Sequence, residues 1–383
     1  MLGVCIKYTQ HNYGSKLQAL ATVKAFERLG LEYEIIRYNK KTLSFYLRAI
    51  LGMFNSVFLT DRYYEAQRKI EFRRHKEIQE KVNLRNNCFD RFDNCFEEHL
   101  SEIYVNYEEL KNLCQEKYDE VISCSDQLWS PAALASGFYN LMFVPDNVKK
   151  VSWASSFGVS KIPKAQIRKT KKYLSRINYI SMRENQGAKI VKTLTGRDVP
   201  VLMDPVFAFD KDEWAQFVPH QKKYSEPYIF CYFLGDNQNH RKQANIVAKR
   251  MGYKIVTLRH LDKYVQEDES FGDYAPYDVS PNDFLNLIRN AEVVLTDSFH
   301  GTAFSIIEGK QFVVFDRYSA SSLNSKNSRI DSLCQNVGLQ NRRYTDADSN
   351  IIEILREKID FMEVHKKVSR YREKTWEYLK VLK

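Results

Sequence analysis

A chain of 383 residues with 44% hydrophobic content is long enough to bury two substantial cores. Its formal net charge of +10 suits acidic partners such as phosphates or an anionic membrane surface without naming one, and nothing in the pattern calls for nucleic acid. The seven cysteines are odd in number and include no C-x-x-C pair, which argues against a disulfide framework or a zinc site and makes a reducing cytoplasm the expected compartment. No stretch reaches membrane-spanning length.

In chain order, MLGVCIKY at 1–8 reads as a first buried strand, without the basic lead and long apolar core of a signal peptide. A turn over 11–14 and a helix capped by Ser15 lead to a second strand at 33–38, a β-α-β opening. A turn at that edge of a sheet faces a ligand crevice, so Asn12, Gly14 and Gln18 are candidate sugar contacts, unless Asn12 and Gly14 only supply turn geometry. Residues 43–59 put Leu43, Tyr46, Leu47, Ile50, Leu51, Phe54, Val57 and Phe58 on one helical face, and Arg37 to Arg91 carry 13 basic against 6 acidic residues. Such a face either lies on anionic lipid or docks on the protein's own sheet. Phe89, Phe92 and Phe96 read as packing residues rather than a platform for bases.

The next strand, YDEVISC at 118–124, runs into Ser125, Asp126, Gln127 and Trp129. Asp126 and Gln127 there can hydrogen-bond sugar hydroxyls while Trp129 stacks on a pyranose, and Asp126 is a candidate general base; alternatively Asp126 caps a turn and Trp129 is core. Strands at 151–154 and 179–182 follow, the first ending at Ser155, Ser156 and Gly158, the second leading into Arg183. A cation near a helix start is unfavourable against the dipole unless an anion binds there, so Arg183 is either an anion contact or the partner of Glu184 or Asp204.

Asp204 and Pro205 mark a break, after which strands at 227–234 and 253–258 and a helix from Pro281 begin a second β/α series. That series leads to AEVVLTDSFHGTAFSIIEGKQFVVF at 291–315: strand, turn, helix, strand, half of a doubly wound sheet. In the turn, Ser298, His300, Gly301 and Thr302 surround a helix start whose free N–H groups can hold an anion beside an imidazole, the side chain that ordinarily titrates near neutrality. The plainer alternative is that Asp297 and Ser298 cap the helix over a satisfied His300. The expected organisation is an N-terminal α/β domain over 1–204 on the acceptor side with a helical insertion at about 40–100, a C-terminal α/β domain over 205–360 on the donor side, and a basic helix over 361–383 that packs back.

TDSFHG with the TAFSIIEGKQFVVF that follows resembles the signature of the polysaccharide pyruvyl transferase family. NYGSKLQAL, SCSDQLWSP at 123–131, SWASSFG at 152–158, SMREN at 181–185, DPVF at 204–207 and NSRI at 327–330 agree in the family's order, over nearly the whole chain except about residues 40–100. The resemblance implies transfer of the pyruvyl group of phosphoenolpyruvate to a sugar of a surface glycan, or of its lipid-linked precursor, as a ketal. It maps Arg183 onto the family's phosphoenolpyruvate-contacting arginine. One departure is Ser298, where many members carry arginine; Arg329 or Lys310 is expected to supply that charge. His300 is the expected acid, phosphoenolpyruvate serves as co-substrate, and no other cofactor or metal is expected, since no carboxylate cluster has ligand spacing. The implied architecture is two Rossmann-like domains facing a cleft, resembling the B-type glycosyltransferase arrangement. Because that fold suits other chemistry, a nucleotide-sugar glycosyltransferase is the alternative, and a non-catalytic membrane- or polyanion-binding module the third reading.

Overall fold

The computed structural model describes residues 1–39, 76–104, 106–131, 137–159, 161–259, 264–317, 328–345 and 350–382. The amphipathic face expected over 43–59 lies outside the described residues. The first unit runs β1 (Leu2–Cys5), α1 (Tyr13–Arg28), β2 (Tyr33–Tyr38), α2 (Lys76–Asp93), β3 (Leu100–Tyr104), α3 (Tyr107–Lys117), β4 (Glu120–Cys124), β5 (Lys149–Ser155), α4 (Ile167–Arg176), β6 (Tyr179–Met182) and α5 (Asn185–Thr195). The second runs α6 (Lys211–Phe217), β7 (Tyr228–Tyr232), α7 (Gln238–Met251), β8 (Lys254–Thr257), α8 (Pro281–Asn290), β9 (Val293–Thr296), α9 (Phe299–Ile307), β10 (Gln311–Phe315), α10 (Ser328–Val337), β11 (Arg343–Tyr344) and α11 (Ile351–Arg356). A last helix, α12 (Phe361–Leu379), follows.

Every strand pairing is parallel, in the orders β3-β2-β1-β4-β5-β6 and β11-β10-β9-β7-β8. Strands covered on both faces need apolar side chains throughout, and β4, β7 and β9 are buried along their whole length. The first order is that of a Rossmann fold, in which the chain reverses direction between β1 and β4; the second reverses between β7 and β9. Crevices open at the carboxyl ends of strands at such points, and here the two crevices face each other.

Helix starts follow from local hydrogen bonding. Asn12 caps α1 by accepting from the Ser15 N–H at 3.1 Å, which corrects the expectation that Ser15 is the cap: one turn further in, Ser15 is free to reach across the sheet. Ser280 and Asp283 form a capping box around Pro281 at the start of α8.

The two units are tied at one side of the cleft. Tyr13 stacks on Phe284 with a 4.8 Å centroid separation and donates to the Val279 carbonyl, while Arg85 of α2 donates to the carbonyls of Arg259 (2.6 Å) and Pro276 (2.9 Å). Phe89 is buried against Tyr13 in this packing, and Phe96 is buried beside Tyr8 and Phe92 within the first unit. Helix α12 spans back over the linker: Trp376 donates to the Ala208 carbonyl, Arg372 to that of Phe207, and Tyr378 to that of Ser152 on β5 at 2.7 Å. Among the described residues no helix is long and apolar enough to cross a membrane.

Candidate active site

Between the opposed crevices lies an open cavity of about 450 Å³. The first unit lines it with Lys7, Gln10, Asn12 and Ser15 after β1 and with Asp126, Gln127 and Ser130 after β4; the second supplies Leu234, Ser298, Phe299, His300, Arg317 and Arg329. Every lining residue thus comes from a strand end or the helix start that follows one, except Arg329, which α10 brings in. Against the carboxylate of Asp126 stand Lys7, Arg329, the imidazole of His300 and Arg317, the last also 3.5 Å from the buried carboxylate of Asp297, so the described wall favours an anion.

The turn that carries Asp126 is bent hard. Ser125 and Asp126 take φ of 41° and 54°, left-handed conformations that cost free energy for side chains with a Cβ. Hydrogen bonds hold them there: Ser125 Oγ donates to Asp204 at 2.8 Å, its N–H donates to the Trp153 carbonyl, and the Asp126 carbonyl accepts from the Ser156 N–H. The bend turns the Asp126 carboxylate into the cleft, where Ser15 Oγ donates to it at 3.1 Å and Lys7 Nζ stands 3.9 Å away. Burial alone would raise its pKa, but Lys7, Arg183 and His300 outweigh that and hold the carboxyl below the usual carboxylate range. A carboxylate so stabilised is a poor proton acceptor, so Asp126 suits accepting hydrogen bonds from hydroxyls better than the general-base role considered from sequence.

Behind the wall lies Asp204, 1% exposed, in the linker between the units. It accepts from Arg183 Nη1 at 2.6 Å and from the Val206 N–H, and its Oδ2 is 3.6 Å from His300 Nε2. Despite burial, the charges of His300 and Arg183 and the hydrogen bond from Arg183 hold its carboxyl below the usual range. On the other edge of the His300 ring sits Gly14, where a Cβ would fall 2.0 Å from Nδ1. This glycine therefore serves close approach of α1 to the imidazole, not the turn geometry or sugar contact read from sequence. Gly14→Ala should displace the ring and cut turnover by roughly 10²-fold, the scale expected for an ångström of misplacement, while the protein still melts cooperatively; comparing kcat with the melting curve checks this.

The other expected site residues divide by position. Gln127 and Arg329 meet across the cleft: with its amide oxygen turned to the guanidinium, Gln127 accepts from Nη2 at 2.7 Å. Burial first, and the neighbouring Arg183 charge next, push the Arg329 guanidinium down to about 10, still protonated at neutrality. Asn12 and Ser298 reach the cavity while also capping α1 and α9. Arg183 does not line the cavity; it is paired with Asp204, as the structural alternative had it, and its guanidinium lies 4.7 Å from the Phe299 ring, with Arg329 at 5.6 Å from the same ring.

Five expected contacts lie elsewhere. Gln18 is buried inside α1 with its amide on Thr22. Trp129 is core, 2% exposed, packed on Phe157 and Tyr173 with its indole N–H on the Tyr139 carbonyl, so no pyranose can stack on it. Gly301 is closed in by Thr296, and Thr302 donates its hydroxyl to the Ser298 carbonyl. Lys310 follows α9 at the end away from Ser298, near Glu292 and Glu308, so of the two expected charges Arg329 is the one that lines the cavity.

Lys7, Ser15, Asp204 and Arg317 were missed as site residues. Lys7 and Arg317 directly follow β1 and β10, so counting charged residues just past each strand would have found them. Asp297 does not cap α9: its carboxylate accepts from the N–H groups of Leu234 (2.7 Å) and Gly235 (2.8 Å), tying the ends of β7 and β9 at their switch point. Among the described residues no group of three His, Cys, Asp or Glu side chains converges as metal ligands.

Comparison with known proteins bears on this geometry. The sequence model of the polysaccharide pyruvyl transferase family matches residues 12–319. No curated protein matches the chain significantly. Among solved structures, a complex of S. aureus MnaA with UDP aligns at a TM-score of 0.51 with 13% identity, covering 96% of this chain and 90% of that one. A structure assigned to a UDP-N-acetylglucosamine 2-epimerase from Listeria monocytogenes aligns at 0.53 with 11% identity, covering 97% and 90%. At such identities the likeness speaks for the fold alone, two Rossmann-like domains about a cleft, as expected from sequence.

Proposed function

Because the chain belongs to the polysaccharide pyruvyl transferase family, and is therefore a transferase, we propose that it moves the pyruvyl group of phosphoenolpyruvate onto two hydroxyls of one sugar in a surface polysaccharide or its lipid-linked precursor. The observation that carries the donor is the cation excess of the cavity wall. Phosphoenolpyruvate has a carboxylate and a phosphate, and two anions need at least two anchors. Arg329 and Arg317 are the two guanidiniums on the wall, with Lys7 opposite. Burial and, after it, the neighbouring Arg183 charge lower the Arg329 pKa, and an incoming anion would offset both. Asn12, Asp126 and Gln127 form the polar first-unit wall, suited to sugar hydroxyls.

In the proposed reaction the His300 imidazolium gives a proton to the donor's methylene carbon, leaving positive charge at C2. One sugar hydroxyl adds to C2 and releases its proton to the imidazole. The C–O bond to phosphate then breaks, phosphate leaves with the electron pair, and the second hydroxyl adds to C2, its proton passing to phosphate or solvent. One new methyl group, two new C–O bonds and one inorganic phosphate balance the reactants. Anionic Asp126 near the cleft favours the cationic intermediates, and the chemistry asks for no further cofactor. The donor is a cytoplasmic metabolite, so we assign the reaction to the cytoplasm, with a lipid-linked acceptor met at the inner face of the plasma membrane.

The test is to supply phosphoenolpyruvate with heavy oxygen at its bridging position, together with a panel of oligosaccharides. Pyruvyl transfer breaks the C–O bond, so released phosphate keeps the label and a sugar gains a pyruvyl ketal. Label retained on the organic product would mean phosphoryl transfer and refute the proposal.

A further inference from the structure

Helix α4 and the segment leading into it carry seven basic and no acidic residues between Lys161 and Arg176. Six of them, Lys161, Lys164, Arg168, Lys169, Lys171 and Lys172, are exposed, and among the described residues none has a carboxylate partner; Arg176 pairs with Asp146. The fold asks only for the opposite face, where Thr170, Tyr173 and Leu174 are buried and Tyr173 packs on Trp129. Arg168 has like charges three and four residues on, at Lys171 and Lys172, and Arg168 and Lys169 stand in the first helical turn, where the dipole opposes cations.

The position of this face matters for the cleft. Gln166, at the start of α4, donates to the Pro131 carbonyl at 3.1 Å, and Pro131 adjoins Ser130 of the cavity wall. The basic face therefore begins beside the mouth of the cavity, on the side of Asp126 and Gln127. Its surface is the convex outside of a helix, with Ile167, 39% exposed, standing among the charges. A convex array of long cations suits a flat sheet of charge better than a single glycan strand.

We propose that the exposed face of α4 docks this protein on an anionic lipid surface, with the sugar side of the cleft turned to the membrane. The proposal rests on the transferase reading only for the acceptor's being lipid-borne; docking itself is independent of the donor. It also differs from the docking face expected over residues 43–59, since it uses charge rather than a large apolar stripe.

Co-sedimentation of the full chain with phosphatidylcholine vesicles, with and without phosphatidylglycerol, tests it. The parent should bind only the mixed vesicles, and salt should release it because exposed charges are screened within about a Debye length. Arg168→Glu with Lys171→Glu and Lys172→Glu should weaken that binding by roughly a hundredfold or more, at about fivefold per surface cation, with melting temperature and phosphoenolpyruvate affinity unchanged. The milder pair Lys171→Gln with Lys172→Gln should give a partial loss in a protein even less perturbed. Equal binding of the parent to neutral vesicles, full retention of binding by the triple variant, or binding to a soluble acidic polysaccharide but to no vesicle would each overturn the proposal. Failure to bind phosphoenolpyruvate would strike the donor assignment and leave the docking result standing.

Discussion

Replacing His300 by glutamine should lower turnover by about 10²–10⁴-fold, the range associated with loss of a general acid, with the fold retained. Glutamine is close enough in size to sit against Gly14, and its amide can stand beside Asp204 where the imidazole does, so the buried carboxylate keeps a polar neighbour. What it cannot do is give up a proton and take it back. Donor affinity should change far less than kcat, because the wall cations remain. Steady-state kinetics beside a melting curve read both quantities, and a His300→Gln enzyme with parental kcat would remove the imidazole from the chemistry.

Asp204→Ala should be the most destabilising single change in the site, by about 3–5 kcal/mol, the cost of leaving a buried charge without its partner. Arg183 has a side chain only 1% exposed and would keep Asp126 at 4.0 Å as its remaining ion partner from this site, while Ser125 Oγ and the Val206 N–H would lose their acceptor. Asp204→Asn preserves the shape and one acceptor oxygen and should cost less. Its pH dependence separates charge from shape. The folded pKa of Asp204 lies below the unfolded value, so the stability it contributes is fully present above the ordinary carboxylate range and is lost as pH falls below about 4. The stability gap between the parent and Asp204→Asn should therefore be constant from neutrality to about pH 5 and close on further acidification. Denaturant melts across that range measure it; a gap that widened in acid would mean that the carboxyl is not held ionised.

Where each element would form was legible to the extent that burial alone decides it. The strands at 33–38, 179–182, 293–296 and 311–315 stand where alternating or continuous apolar runs put them. His300 and Asp126 came from chemically unusual residues at strand ends, and both do reach one cavity. Periodicity does not say what a buried face touches, and the missed features are of that kind. Trp129 reads either as a sugar platform, which the resemblance of its SDQLW block favours, or as core, and it is core: the carboxylate of Asp126 faces the cleft while the indole packs on Phe157. Gly14 read as a turn residue because the ring it accommodates lies in the other unit. Asp204 read as a domain break and as one candidate partner of Arg183; its contacts with Ser125 and His300 come from distant parts of the chain and meet only on folding. The capping roles of Asn12 and Ser15 were exchanged by one helical turn, enough to hide that Ser15 bonds Asp126.

The central claim is that the cleft receives phosphoenolpyruvate on Arg329. Calorimetric titration of phosphoenolpyruvate, and of UDP- and GDP-sugars, into the parent and into Arg329→Gln measures this without knowledge of the acceptor. The parent should bind phosphoenolpyruvate and not the nucleotide sugars, and Arg329→Gln should weaken donor binding by about 1.5–3 kcal/mol, the range for a hydrogen bond to a charged group. Binding of a nucleotide sugar with none of phosphoenolpyruvate, or equal donor affinity in the two proteins, would contradict it.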